Sequence, residues 1–142
     1  MRQTSRFAYT GIRVRDLRRS IRFYTKVMGM KVACKGKMDH GGIFVQLLNP
    51  RSQQRLELNY YPPGTKYYEK YKPGSELDHI AFWETDVDRR YRELISRGAR
   101  KAVQPFSGPP DGTYRLAFVK DPDGIWIELI GMKNHRASPV FI

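Results

Sequence analysis

The stretch "LDHIAFWETDVDRRYRELISRG", Leu77 to Gly98, decides how the rest of the chain is read. "LDHIAFWET" reads as a strand and "DVDRRYRELISRG" as a helix. Val87, Tyr91, Leu94 and Ile95 recur at the spacing of one buried helix face, and Gly98 is the expected stop. The same grammar stands near the start of the chain. "AYTGIRV" alternates as a half-buried strand does, and Asp16 is the expected N-cap of the helix "LRRSIRFYTKVM". Leu17, Ile21, Tyr24 and Met28 give that helix its buried face, and Gly29 ends it.

Working outward, "MKVAC" reads as a strand, "KGKMDHGG" as a turn, and "IFVQLLN" with "QRLELNYY" as a hairpin around "PRSQ". After the second helix, "KAVQPF" is a short extended piece and "SGPPDGTY" a loop. "RLAFVKD" and "GIWIELI" form a hairpin over "DPDG", a strong turn signal. Between the copies lies "PPGTKYYEKYKPGSE", a connector or lid rich in Pro, Gly and Tyr. The chain therefore reads as one α+β domain holding an internal repeat, β-α-β-β-β twice. The first module covers about 7–61, the connector 62–76, the second module about 77–131, and a weakly patterned tail 132–142.

The copies share positions more than identity. Tyr9 and His79 stand at matched points of the two first strands, 70 residues apart. Glu57 and Glu128 stand at matched points of the two last strands, 71 apart. Strand parity turns Leu56, Leu58, Ile127 and Leu129 toward the helices and each glutamate to the opposite face. A carboxylate held inward among apolar residues costs desolvation, usually offset by a metal or a cation. His79 shares its face with Ala81 and Trp83, and a lone histidine there would read as ordinary core. Beside two repeat-matched glutamates it becomes a candidate ligand. Two glutamates and a histidine suit one borderline divalent ion (Zn, Ni, Co, Mn or Fe) and not an all-oxygen calcium cage.

The 142 residues are 40% hydrophobic, enough for a real core. Cys34 is the single cysteine, so no internal disulfide forms, which fits a reducing cytosol; it reads as a small buried or half-buried residue. No apolar run reaches the 18 residues of a membrane span, and "MRQTSRFAY" lacks the apolar region of a signal peptide. The net charge is +12, with Arg15, Arg18, Arg19, Arg22 and Lys26 on one helix and Arg89, Arg90, Arg92, Arg97, Arg100 and Lys101 on or after the other. Two solvated helix faces explain most of this excess. No helix-turn-helix, zinc-finger or RNP pattern supports nucleic-acid binding. A small anionic substrate remains compatible with it.

The segments "YTGIRVRDLRRSIRFYTKVMGMKV", "RLELNYY", "DHIAFWETDV" and "LAFVKDPDGIWIELI" resemble the vicinal-oxygen-chelate superfamily, and within it glyoxalase I, over about residues 7–131. The resemblance implies paired βαβββ modules forming an incomplete barrel around a metal. It implies a lyase that isomerises a 2-oxoaldehyde hemithioacetal through a metal-stabilised enediolate. Its metal ligands fall on Glu57, His79 and Glu128, with Tyr9 at a position where the family has histidine. Glu128 is implied as the main base, and Glu57 as the carboxylate on the metal's other side. Arg13, four residues beyond Tyr9 on the same strand face, matches an arginine that contacts glutathione. Tyr61 stands where the family has an asparagine, with Asn59 nearby. Single-domain relatives are usually homodimers with sites built across the interface, and the resemblance implies the same here.

Other members of the superfamily leave alternatives: an epimerase, a dioxygenase, or a metal-free small-molecule-binding relative. An iron dioxygenase needs two histidines and a carboxylate. His40 in "DHGG" and His135 in the tail are weak substitutes. Tyr9 also has three readings. A neutral phenol, with an ordinary pKa of about 10, is a poor ligand. It can stay protonated and donate at the metal's edge, leave the metal with three protein ligands, or simply pack the wall of a metal-free pocket.

Overall fold

The structure is a computed structural model that describes residues 5–108 and 111–133; most of the tail, with His135, lies outside the described residues. The chain forms two compact units: the first is Tyr9–Asp78, and the second joins the residues up to Ala8 with those from His79 onward. Among the described residues, no helix is long and apolar enough to cross a membrane.

The module order is β1 (Arg6–Arg13), α1 (Leu17–Arg22), β2 (Lys31–Lys37), β3 (Ile43–Leu48) and β4 (Arg55–Tyr60), then β5 (Leu77–Trp83), α2 (Val87–Ser96), β6 (Arg100–Ser107), β7 (Tyr114–Lys120) and β8 (Trp126–Met132). Each half is βαβββ, as read. In the first unit the strand order is β2-β3-β4-β1, and in the second β5-β8-β7-β6. The β1–β4 and β5–β8 pairs are parallel, and their registers match. Gly11 lies opposite Glu57, and Ala81 opposite Glu128. In both units the glutamate faces the residue two beyond the first-strand position, Tyr9 or His79. That shared register gives Tyr9 and Glu57 in one unit the same relative placement as His79 and Glu128 in the other.

The first unit packs Val45, Leu47 and Leu58 under Leu17, Ile21 and Tyr24 of the helical segment. Asp16 caps α1 as read, its Oδ1 accepting from the Arg19 amide at 3.0 Å. The buried helix face stops short of the sequence reading, however. The α-helix ends at Arg22 and passes into a π-turn, Phe23–Val27. The Met28 amide donates to the Phe23 carbonyl, five residues back, at 3.1 Å. The extra residue in that turn rotates the phase. Met28 leaves the core at 58% exposure, and Met30 packs there instead. The strand after it is longer than read: β2 runs through Lys37, and the turn is Met38–Gly42, closed by Met38 N–H to Gly42 O at 2.7 Å. Cys34 is exposed and not buried, because β2 is the edge strand and its register slips between Val32 and Cys34.

The second unit builds its core from Val87, Tyr91, Ala117, Val119 and Leu129, with Leu94, Ile95 and Ile127 packed against it. Asp86 caps α2 by accepting from the Arg89 amide at 3.0 Å. The "DPDG" turn closes β7 onto β8. Asp121 Oδ1 accepts from the Asp123 and Ile125 amides, both at 2.9 Å, and Gly124 takes a φ of 85° that favours glycine. "KAVQPF" extends to an eight-residue edge strand, β6. The chain's first described residues belong to this unit too. Ser5 Oγ accepts from Arg90 Nε at 3.1 Å, and Phe7 sets its ring edge against Phe82 with centroids 5.5 Å apart.

Candidate functional site

In the second unit, β5 and β8 lie side by side and turn His79 and Glu128 to the face away from α2. Both are buried, at 5% and 6% exposure. His79 Nε2 and Glu128 Oε2 are 3.4 Å apart. The face around them is aromatic. Phe118 lies opposite Glu128 in the sheet and stands edge-on to His79 with centroids 6.2 Å apart. Trp126 packs on Phe118 at 5.7 Å, and Trp83 on Tyr114 at 6.4 Å. Such a wall excludes water and strengthens the electrostatic coupling of the imidazole–carboxylate pair.

The first unit holds the matching positions. Tyr9 is 2% exposed, and Glu57 is buried on the parallel partner strand. Glu57 Oε2 accepts a hydrogen bond from Gln46 Nε2 at 2.9 Å, and Gln46 Oε1 accepts from Arg55 Nη1 at 3.2 Å. Gln46 sits directly across the ladder from Glu57. It was missed in the sequence reading. Its signal was a lone amide inside "IFVQLL", one strand from a buried glutamate.

Arg13 is already engaged within its unit. Its Nε lies 3.2 Å from Asp78 Oδ2, its Nη1 donates to the Tyr67 carbonyl at 2.8 Å, and its guanidinium carbon sits 4.6 Å over the Tyr61 ring. Burial, then the nearby Asp78 carboxylate, pushes the Tyr61 phenol above its ordinary range. His40 stands in the Met38–Gly42 turn, edge-on to Tyr67 at 4.7 Å. Burial and then Lys66 lower its pKa, which favours the neutral imidazole. Beside Arg13, a cavity of about 450 Å³ opens under the connector, with Arg15, Tyr68, Lys70 and Tyr71 among its walls. Arg15 stacks over Tyr71 at 4.2 Å.

Among the described residues no three His, Cys, Asp or Glu side chains gather as a metal-holding group. The donors nevertheless suit a borderline divalent ion. His79 and Glu128 present one nitrogen and one oxygen side by side, and Glu57 offers a second buried carboxylate. Tyr9 fits less well, because a neutral phenol binds metal weakly and a phenolate would add a third negative charge.

Comparison with known proteins points one way. The family described as Glyoxalase/Bleomycin resistance protein/Dioxygenase superfamily matches residues 6–129. The chain is 36% identical over 137 residues to the probable lactoylglutathione lyase of Vibrio cholerae serotype O1, spanning 94% of this chain and 95% of that protein. It is 34% identical over 140 residues to the lactoylglutathione lyase of Escherichia coli O157:H7, spanning 91% and 94%. Among solved structures, methylmalonyl-CoA epimerase from Mycobacterium tuberculosis is similar with a TM-score of 0.74 at 25% identity, covering 93% of each chain.

Proposed function

Because the chain belongs to the Glyoxalase/Bleomycin resistance protein/Dioxygenase superfamily, we propose that it is a glyoxalase I-like lyase acting on the hemithioacetal of a 2-oxoaldehyde. The observation that carries this reading is the buried His79–Glu128 pair at 3.4 Å on an aromatic face. Glu128 is the base. It takes the proton from the carbon next to the carbonyl and returns it to the neighbouring carbon. Moving that proton by one carbon, while the hydroxyl proton passes from its own oxygen to the former carbonyl oxygen, turns the hemithioacetal into a thioester with no net redox change. Phe118 and Trp126 shield the transfer from water.

His79, Glu128 and Glu57 would hold a divalent metal, with Tyr9 beside them. When bound, that ion supplies Lewis-acid polarisation of the substrate's two neighbouring oxygens. Tyr9 stays protonated and donates its hydroxyl proton at the corner where relatives have histidine. As the family resemblance implies, the working site is completed in a homodimer. Tyr9 and Glu57 of one copy meet His79 and Glu128 of a second. Arg13 is paired with Asp78 and is a weaker anion anchor than a free guanidinium. Arg15 and Lys70 in the adjoining cavity therefore share the anionic end of the thiol carrier. With Cys34 as its single cysteine, the protein suits a reducing cytosol.

The deciding experiment combines three measurements on purified protein: metal content by mass spectrometry, subunit number by light scattering, and turnover of methylglyoxal with glutathione. A dimer with about one divalent ion per chain and steady thioester formation is the expected result. Protein without bound metal and without turnover, but binding small aromatics, would move it to the metal-free relatives. Turnover of a CoA thioester in place of the hemithioacetal would make it an epimerase.

A further inference from the structure

One row of side chains on the Glu128 face carries two cations that have no part in that chemistry. Lys120 lies directly opposite Trp126 on β8 and directly opposite Arg100 on β6. Residues directly opposite in an antiparallel ladder share a face. Ala117 and Val119 of β7 go into the core with α2, so Lys120, like Phe118, turns to the other side. The row Arg100–Lys120–Trp126 therefore runs beside the row that holds Phe118 and Glu128. Lys120 Nζ lies 4.7 Å from the Trp126 ring centroid, which fixes the ammonium over the indole.

Two cations directly opposite each other in a sheet are destabilising. Asp121, the nearest acid along the chain, turns its Oδ1 to the Asp123 and Ile125 amides of the turn. Arg100 Nη2 reaches a backbone carbonyl, that of Asp121, at 3.4 Å, and not a carboxylate. A like-charged pair at the border of a half-buried aromatic face is the arrangement that an anion would relieve.

We propose that Lys120 and Arg100 form an anion-binding rim beside Glu128, so that the oxoaldehyde half of the substrate carries a phosphate or carboxylate. Trp126 is the platform that holds Lys120 in place. The assignment to the oxoaldehyde half rests on the lyase reading above, whereas anion binding on this face does not.

The test is a fluorescence titration in a Trp83→Phe background, where Trp126 is the remaining indole. The probes are phosphoglycolate, succinate and uncharged ethylene glycol. Both anions should perturb Trp126 and bind at least tenfold tighter than the glycol, and the tighter of the two identifies the charged group. Lys120→Gln and Arg100→Gln should each weaken anion binding about tenfold. Lys101→Gln removes the same charge from the opposite face, since Lys101 pairs with core-facing Val119. It should change nothing. Equal binding of glycol and anions, or equal loss in Lys101→Gln, overturns the rim. In parallel, hemithioacetals of glutathione with methylglyoxal and with its 3-phosphooxy analogue are compared for kcat/KM. Absence of turnover with both, alongside intact anion selectivity at Trp126, would reject the lyase reading and leave the rim standing.

Discussion

The two units are built on one plan, and the contrast between their glutamates is informative. Glu128 meets an imidazole at 3.4 Å, in a pair that can accept and release a proton. Glu57 meets the amide of Gln46 at 2.9 Å, and that amide is tied in turn to Arg55. An amide cannot exchange protons near neutral pH, but it orients a carboxylate well. The duplicated position thus has two characters, one suited to moving a proton and the other to holding still. The helices differ in the same direction. Regular α2 buries Val87 and Tyr91, while α1 yields after six residues to a π-turn that exposes Phe23, Val27 and Met28.

The largest effect should come from exchanging the glutamates. Glu128→Gln is expected to lower kcat by about 10²–10⁴-fold, the usual worth of a positioned base. Glu57→Gln should fall well short of that in kcat and show mainly as weaker metal retention. Steady-state rates and metal content of the two variants measure both quantities, and equal losses of kcat would erase the contrast. Next comes the odd corner. Tyr9→His should raise divalent-metal affinity roughly tenfold, about 1.4 kcal/mol, by supplying an imidazole where a phenol binds poorly. Competition with a chelator reads this directly; unchanged affinity would place Tyr9 outside the metal's reach.

Smaller effects compare the helices. Asp86→Ala and Asp16→Ala each delete an N-cap, worth ~1 kcal/mol. Urea unfolding should show the larger loss at Asp86, whose helix runs ten regular residues against six. A larger loss at Asp16 would mean that the π-turn does not weaken α1. Smallest of all, Met28→Lys should shift stability by less than about 0.5 kcal/mol, as exposed positions do. A drop of several kcal/mol would return Met28 to the core and restore the unbroken helix face.

The sequence carried whatever follows a period. Alternation and 3–4 spacing marked the repeat and the inward turn of Glu57, His79 and Glu128, while residue type marked the Asp16 cap and the "DPDG" hairpin; the Asp86 cap came only with the structure. Features that depend on one residue's neighbours across the sheet were not legible. Met28 satisfies the helical period, and only the Phe23–Met28 hydrogen bond shows that the period is broken. Cys34 looks like core until β2 proves to be an edge. Arg13 reads as a free cation, because nothing in its own strand shows that Asp78 and the Tyr67 carbonyl claim it. Gln46 gains its meaning from its register opposite Glu57.

The membership of Ser5 and Phe7 in the second unit has a consequence for biosynthesis. Ser5 waits for Arg90, 85 residues later in the chain, before its hydrogen bonds form. The first unit, Tyr9–Asp78, holds the β1–β4, β2–β3 and β3–β4 pairings within itself and can fold while the ribosome is still at work. The second unit completes its Ser5–Arg90 and Phe7–Phe82 contacts only after Phe82 and Arg90 have emerged. A bulky tag fused to the amino terminus should therefore slow the maturation of the half that carries Glu128, while leaving the earlier half untouched.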